Sequence, residues 1–189
     1  MVNPNKIRIL DNMKDTKINN VFTLGVREPQ PNDKRVSYSQ YTMYANCPHQ
    51  WKLNYMDGHR TFDPSIHLVF GTAMHETLQE WLDVLYNKSP KEATELDLGK
   101  MLYEGMVTEY KKMREQTGVE FSTPSEMEEF LEDGINILNF VTKNRLDYFN
   151  TRHMKLVAIE LPIYSKAMES HNVYMMGFLD LVFEDTYEN

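Results

Sequence analysis

The sequence predicts an α/β fold, helices packed on a small mixed sheet, and three observations carry that expectation. Residues 66–85 repeat apolar side chains at three- and four-residue intervals, the period of a helix that buries one face. Thr123-Pro124-Ser125-Glu126 has the form of a helix start: a capping threonine, a proline at the first helical position and a glutamate that completes a capping box. Near Met154 the period changes to that of strands. Lys155–Lys166 and Val173–Glu184 are β-rich runs joined by a polar connection, the pattern of an antiparallel hairpin.

Taken in order, Met1–Lys34 has few apolar residues in any regular period and closes on Pro29, Pro31 and Asn32. It reads as an arm, with Val21–Val26 a short strand, ahead of a domain over residues 35–189. In the aromatic-rich stretch Ser37–Gly58, Ser39 caps a helix through Gln40–Asn46, Pro48 interrupts it, and a second helical or extended piece carries Trp51, Leu53 and Tyr55. Tyr41, Tyr44 and Trp51 read first as an aromatic core beneath the 66–85 helix. Arg35, His49, Lys52, His59 and Arg60 interleave with them, which also suits a phosphate-lined groove.

The packed face of the 66–85 helix comprises Ile66, Val69, Phe70, Ala73, Met74, Leu78, Trp81, Leu82 and Leu85. Gly71, near its middle, predicts close approach of another element. Asn87–Ala93 reads as a polar loop. Glu95–Gln116 reads as a helix with Leu98, Met101, Leu102, Met106, Val107 and Tyr110 inside. Its terminal Lys111, Lys112 and Arg114 suit the helix dipole and need no ligand. The helix opened by Thr123 is expected to run to about Phe149 and to bury Met127, Phe130, Leu131, Ile135, Leu138 and Val141.

With 189 residues, 41% hydrophobic and 25% charged, the chain has the size and composition of one soluble globular domain with a substantial core. No apolar run approaches the roughly 20 residues that span a bilayer, and MVNPNKIRIL lacks the apolar centre of a secretory signal, so the expected location is the cytoplasm, with no membrane partner. The single cysteine, Cys47, excludes an internal disulfide and any all-cysteine zinc or iron–sulfur site built by this chain alone. A formal net charge of −8 argues against a generally basic nucleic-acid binder, though not against an enzyme with a local basic groove and an acidic metal site.

Two side chains stand out. His75 lies beside the apolar stripe of its helix and reads either as a hydrogen-bonded core residue, the commoner case, or as a metal ligand. Counting by twos along Val173–Glu184 puts Tyr174, Met176, Phe178, Asp180 and Val182 on one strand face. Asp180 interrupts that face, which suits a solvated strand end, a pairing with a cation, or function. Glu160, on the preceding strand, reads equally as a solvated acid or as a neighbour of the same site.

The order Ser37-Tyr38-Ser39-Gln40-Tyr41, Cys47-Pro48, Trp51-Lys52-Leu53-Asn54-Tyr55, Gly71-Thr72-Ala73-Met74-His75-Glu76 and Gly177-Phe178-Leu179-Asp180 resembles the RecB-like branch of the PD-(D/E)XK nuclease superfamily. That branch includes nuclease domains of bacterial recombination helicase–nucleases, CRISPR adaptation nucleases and phage exonucleases, and the resemblance runs from Ser37 to the C-terminus. It implies that His75 and Asp180 bind a catalytic divalent metal, Mg²⁺ or Mn²⁺. It further implies a DNA nuclease, an exonuclease of recombination, repair or phage DNA metabolism acting at single- or double-stranded ends, in the host cytoplasm if phage-encoded. Arg35, Gln40, Tyr41 and Lys52 are the candidate nucleic-acid contacts. Cys47 matches the first of four cluster cysteines in some relatives; the other three are absent here, so no iron–sulfur cluster is expected and Cys47 is expected to pack.

One departure bears on activity. In the family the G-x-x-D strand leads to a second strand carrying an acid, one residue and a lysine, then to a helix with Gln and Tyr. No D/E-x-K follows Asp180 here, where the sequence closes on Asp185-Thr186-Tyr187-Glu188-Asn189. The chain thus resembles the front part of a longer nuclease, its core truncated after the second core strand. The expectation is an inactive chain with Val173–Glu184 left as an exposed, aggregation-prone edge. The competing class is a catalytically inactive binding or structural module of the same fold.

Overall fold

The computed structural model describes residues 8–9, 30–59, 62–168 and 171–186. The chain divides into two units, one of Met1–Thr61 with Leu156–Glu184 and one of Phe62–Lys155 with Asp185–Asn189. The expected strand at Val21–Val26 lies outside the described residues.

The first unit is built on a sheet. Its strands are β1 (Arg8–Ile9), β2 (Lys34–Ser37), β3 (Met154–Met168) and β4 (Val173–Asp185), in the order β1-β3-β4-β2. β3 and β4 form the expected hairpin. Their connection, residues 169–172, is far shorter than the dozen or so residues a parallel crossover needs, so the two run antiparallel. β1 pairs antiparallel with β3 (Arg8↔Ile159), whereas β2 pairs parallel with β4 from Lys34↔Val173 to Ser37↔Met176, making the sheet mixed. The Lys34 N–H donates to the Asn172 carbonyl at 2.9 Å and ties β2 to the hairpin connection. β2 thus covers the first part of the edge that was expected to be open, Val173–Met176, and its register with β4 ends there. Val157, Ala158 and Leu161 form a small apolar cluster against which Leu179 and Val182 pack.

Two short helices follow β2: α1 (Tyr38–Asn46) and α2 (Pro48–Tyr55). The cap of α1 is Ser37 rather than Ser39. Ser37 ends the strand in extended backbone, and its Oγ accepts from the Gln40 N–H at 3.2 Å. Cys47 separates the helices, and its Sγ accepts from the Gln50 N–H at 3.4 Å while Pro48 takes the first helical position. Neither helix buries a side chain. The expected aromatic core of Tyr41, Tyr44 and Trp51 is therefore corrected: both tyrosines are exposed and Trp51 is half-buried. The physical reason is in α1 itself, which has no Leu, Ile, Val or Phe to make an apolar stripe.

The second unit is helical, with α3 (Ile66–Asn87), α4 (Pro90–Glu95), α5 (Leu98–Thr117), α6 (Pro124–Lys143) and α7 (Arg145–Tyr148). Each of the first four starts at a side-chain cap. Ser65 Oγ accepts from the Leu68 N–H, Ser89 Oγ from Glu92, Asp97 Oδ1 from Lys100, and Thr123 with Glu126 closes the expected capping box. Ser89 and Pro90 thus start a helix inside the expected Asn87–Ala93 loop, and the Asp97 cap moves the start of α5 from Glu95 to Leu98. α5 ends at Gly118, whose φ of 71° is the left-handed conformation that glycine adopts without strain. α6 stops at Lys143, short of Phe149, where Asn144 leaves helical backbone and its side-chain amide donates to the Phe140 carbonyl at 2.8 Å.

The core of this unit joins Ile66, Val69, Ala73 and Met74 of α3 to Leu102, Met106 and Met113 of α5 and Leu138 of α6. Burying side chains of this size contributes about 1.5–3 kcal/mol each. The close helix approach expected at Gly71 is found elsewhere, for nothing lies within 4 Å of a Cβ built there. A Cβ on Gly105 would sit 3.1 Å from Ala73 Cβ, and one on Gly134 would meet Leu102 and, at 2.9 Å, Phe70. These two glycines, on α5 and α6, let three helices crowd together.

Candidate metal centre

The sheet unit brings two acids together, and it does so at a backbone irregularity. Glu160, in the middle of β3, has φ 56°, the left-handed region, and it is the non-glycine residue with positive φ among those described. For an L-residue that conformation costs roughly 1–2 kcal/mol. Its flanking residues, Ile159 and Leu161, are both buried, while Glu160 itself is half-buried. A left-handed residue within a strand re-aims its side chain in the manner of a β-bulge. The side chain so aimed has a carboxylate oxygen within 4.8 Å of one from Asp180, which is exposed on β4.

Two carboxylates at that separation repel by about 1 kcal/mol even at the dielectric of water. Strain held at one residue is characteristic of functional sites, and a cation placed between the two carboxylates would relieve their repulsion. The donor set is hard and anionic, suited to Mg²⁺, Mn²⁺ or Ca²⁺ rather than to a soft metal. A divalent ion therefore fits the chemistry of this pair.

His75 belongs to the helical unit, half-buried on α3 one residue beyond the buried Met74. The Gln79 side-chain amide nitrogen lies 2.6 Å from its Nε2. The two residues are four apart, one helical turn on the same face, so the contact is built into the helix and holds the imidazole in one orientation. Sequence reasoning did not single out Gln79; its spacing from His75 was the available signal.

The four candidate nucleic-acid contacts all lie on β2, α1 and α2. Arg35 is exposed on β2, opposite Tyr174 in the register; Tyr41 is exposed on α1; Gln40 is half-buried there, its N–H held by the Ser37 cap. Lys52 is exposed on α2 at 3.9 Å from Asp57, a surface pair worth at most about 1 kcal/mol that leaves the ammonium accessible. A cavity of about 620 Å³ in the helical unit, lined by Trp81, Leu85, Leu138, Lys143 and Arg145 among others, offers one carboxylate, Asp97, which is committed to capping α5. Its chemistry is not that of a divalent-cation site.

A family model for the PD-(D/E)XK nuclease superfamily matches residues 35–188, from the second residue of β2 to beyond β4. The matched span contains His75, Glu160 and Asp180. No curated protein matches the chain.

Proposed function

The chain belongs to the PD-(D/E)XK nuclease superfamily, and from that premise we propose that it is the metal-binding part of a DNA nuclease of the RecB-like branch, an exonuclease of recombination, repair or phage DNA metabolism. Nucleases of this superfamily use divalent metals. The proposed ligands here are His75, Glu160 and Asp180, with residues 35–189 forming the nuclease domain, residues 1–34 an arm, and the cytoplasm its location. The observation that carries the reading is the Glu160–Asp180 carboxylate pair, assembled at the cost of a left-handed glutamate.

When bound, Mg²⁺ or Mn²⁺ supplies Lewis-acid polarisation of the scissile phosphate and lowers the pKa of a coordinated water. The residues of the chain have simpler tasks. Asp180 and Glu160 offset the charge of the ion, His75 contributes a neutral nitrogen donor, and Gln79 fixes the ring. Arg35, Gln40, Tyr41 and Lys52 would hold the polynucleotide. The branch also uses a lysine two residues after an acid, and none follows Asp180 within these residues. We therefore infer that residues 1–189 alone do not hydrolyse DNA. The second reading is a catalytically inactive binding or structural module of this fold.

Cleavage of end-labelled linear DNA separates the two. The nuclease reading expects no cleavage by residues 1–189 with Mn²⁺, and cleavage once a strand bearing D/E-x-K is supplied. That activity should fall by orders of magnitude on His75→Ala or Asp180→Ala, because each removes a ligand of the ion. Metal-dependent cleavage by residues 1–189 that both substitutions leave unchanged contradicts the assignment.

A further inference from the structure

Residues 34–56 carry three cations, Lys34, Arg35 and Lys52, and no acid. With 28 acids in 189 residues, a stretch of this length would contain about three at the average frequency, so the gap is a local reversal of charge in a chain of net charge −8. The same stretch forms β2, α1 and α2, and neither helix has a buried residue. Within it α1 has no charged residue at all, and it presents Tyr38, Tyr41 and Tyr44 at 73%, 56% and 52% exposure.

The spacing of these rings has a chemical meaning. Residues three apart on a helix follow one slanted stripe with a rise of about 4.5 Å per step. Each step also turns by about 60° around the helix axis, so the three rings fan along one side of α1. The stripe continues onto α2, for Tyr44 meets Trp51 edge-on at 5.5 Å and Trp51 lies 6.2 Å from Tyr55. Lys34 and Arg35 stand at its start, on the strand that leads into α1, and Lys52 stands beside Trp51 in sequence. Exposed aromatic rings flanked by cations are the means by which proteins hold unpaired bases and their phosphates.

We propose that the Tyr38–Tyr41–Tyr44 stripe of α1, flanked by Lys34, Arg35 and Lys52, is a stacking platform for single-stranded nucleic acid, long enough for two or three nucleotides. This rests on the nuclease reading and assigns its substrate as a single strand. Duplex bases are already stacked on one another and present no free faces to tyrosine, so the platform discriminates against intact double strands.

The test is binding without cleavage, read by fluorescence anisotropy of a labelled oligo(dT) and of a blunt duplex of equal length, with the full chain in EDTA. The single strand binds more tightly. Tyr38→Ala with Tyr41→Ala lowers its affinity roughly ten-fold or more, since alanine substitution of a stacking ring costs about 1–3 kcal/mol per base. The matched Phe variants keep the affinity because they keep the rings. Replacing Lys34 and Arg35 by Gln weakens binding and flattens its dependence on salt. Binding is read in EDTA, with no divalent ion present, so failure of the metal reading leaves this result readable. Equal affinity for duplex and single strand, or an Ala variant with unchanged circular dichroism and unchanged affinity, overturns the proposal. So does sedimentation showing that the stripe instead joins two copies of the chain, with self-association lost in the Ala variant and no oligonucleotide bound.

Discussion

At Glu160 the backbone and the side chain make opposite demands. The left-handed φ of 56° favours glycine, whereas the pairing with Asp180 requires a carboxylate. Comparing two substitutions separates the demands, because both remove the acid and only one removes the Cβ. Glu160→Gly should be more stable than Glu160→Ala by about 1–2 kcal/mol in urea denaturation, the reverse of their order in a regular strand. Equal stability would mean that the strand relaxes to negative φ and that no strain is stored there. Neither this strain nor the Glu160–Asp180 approach was legible in the sequence beyond a suspicion of proximity. A glutamate gives no sign of positive φ as glycine or asparagine would, and period-two counting assumes the regular strand that Glu160 breaks.

At the scale of elements, the caps were the most legible features, because a cap is a local arrangement of side chain and backbone. The capping box of α6 was readable from four residues and gives a pH-dependent prediction. Glu126 accepts from the Thr123 N–H at 2.8 Å, and from the Thr123 and Ser122 hydroxyls. These hydrogen bonds, the backbone one first, hold its carboxyl below the ordinary glutamate value. A group whose folded-state pKa is depressed contributes stability that is complete above its unfolded value and is lost as pH falls through the folded one. Glu126→Gln should therefore lower the melting temperature at neutral pH, with the gap to wild type closing as the solution is acidified through that range. A gap independent of pH would assign the effect to shape rather than charge. The short helices were misread for a related reason: the aromatic content of α1 suggested a core, but three tyrosines with no Leu, Ile, Val or Phe among them make no buried stripe.

At the scale of the whole molecule, the sequence announced strands but not their partners. β2 and β4 pair although Lys34 and Val173 are far apart in the chain, and no local pattern encodes such a pairing. His75 and Asp180 were singled out through short motifs in a fixed order rather than through periodicity, which by itself favoured a core role for the histidine. The family match over residues 35–188 bears out the superfamily to which those motifs pointed. Among the described residues no helix is long and apolar enough to cross a membrane.

The central proposal is that His75, Glu160 and Asp180 are the ligands of one divalent ion. Titration of the full chain with Mn²⁺, followed by the electron paramagnetic resonance signal of the free ion, addresses it without requiring catalysis. The account predicts saturable binding of one ion per chain, weakened about ten-fold or more by each of Asp180→Ala, Glu160→Gln and His75→Ala in proteins of unchanged circular dichroism. Absence of binding by the wild type at millimolar Mn²⁺, or binding that all three substitutions leave intact, would contradict it.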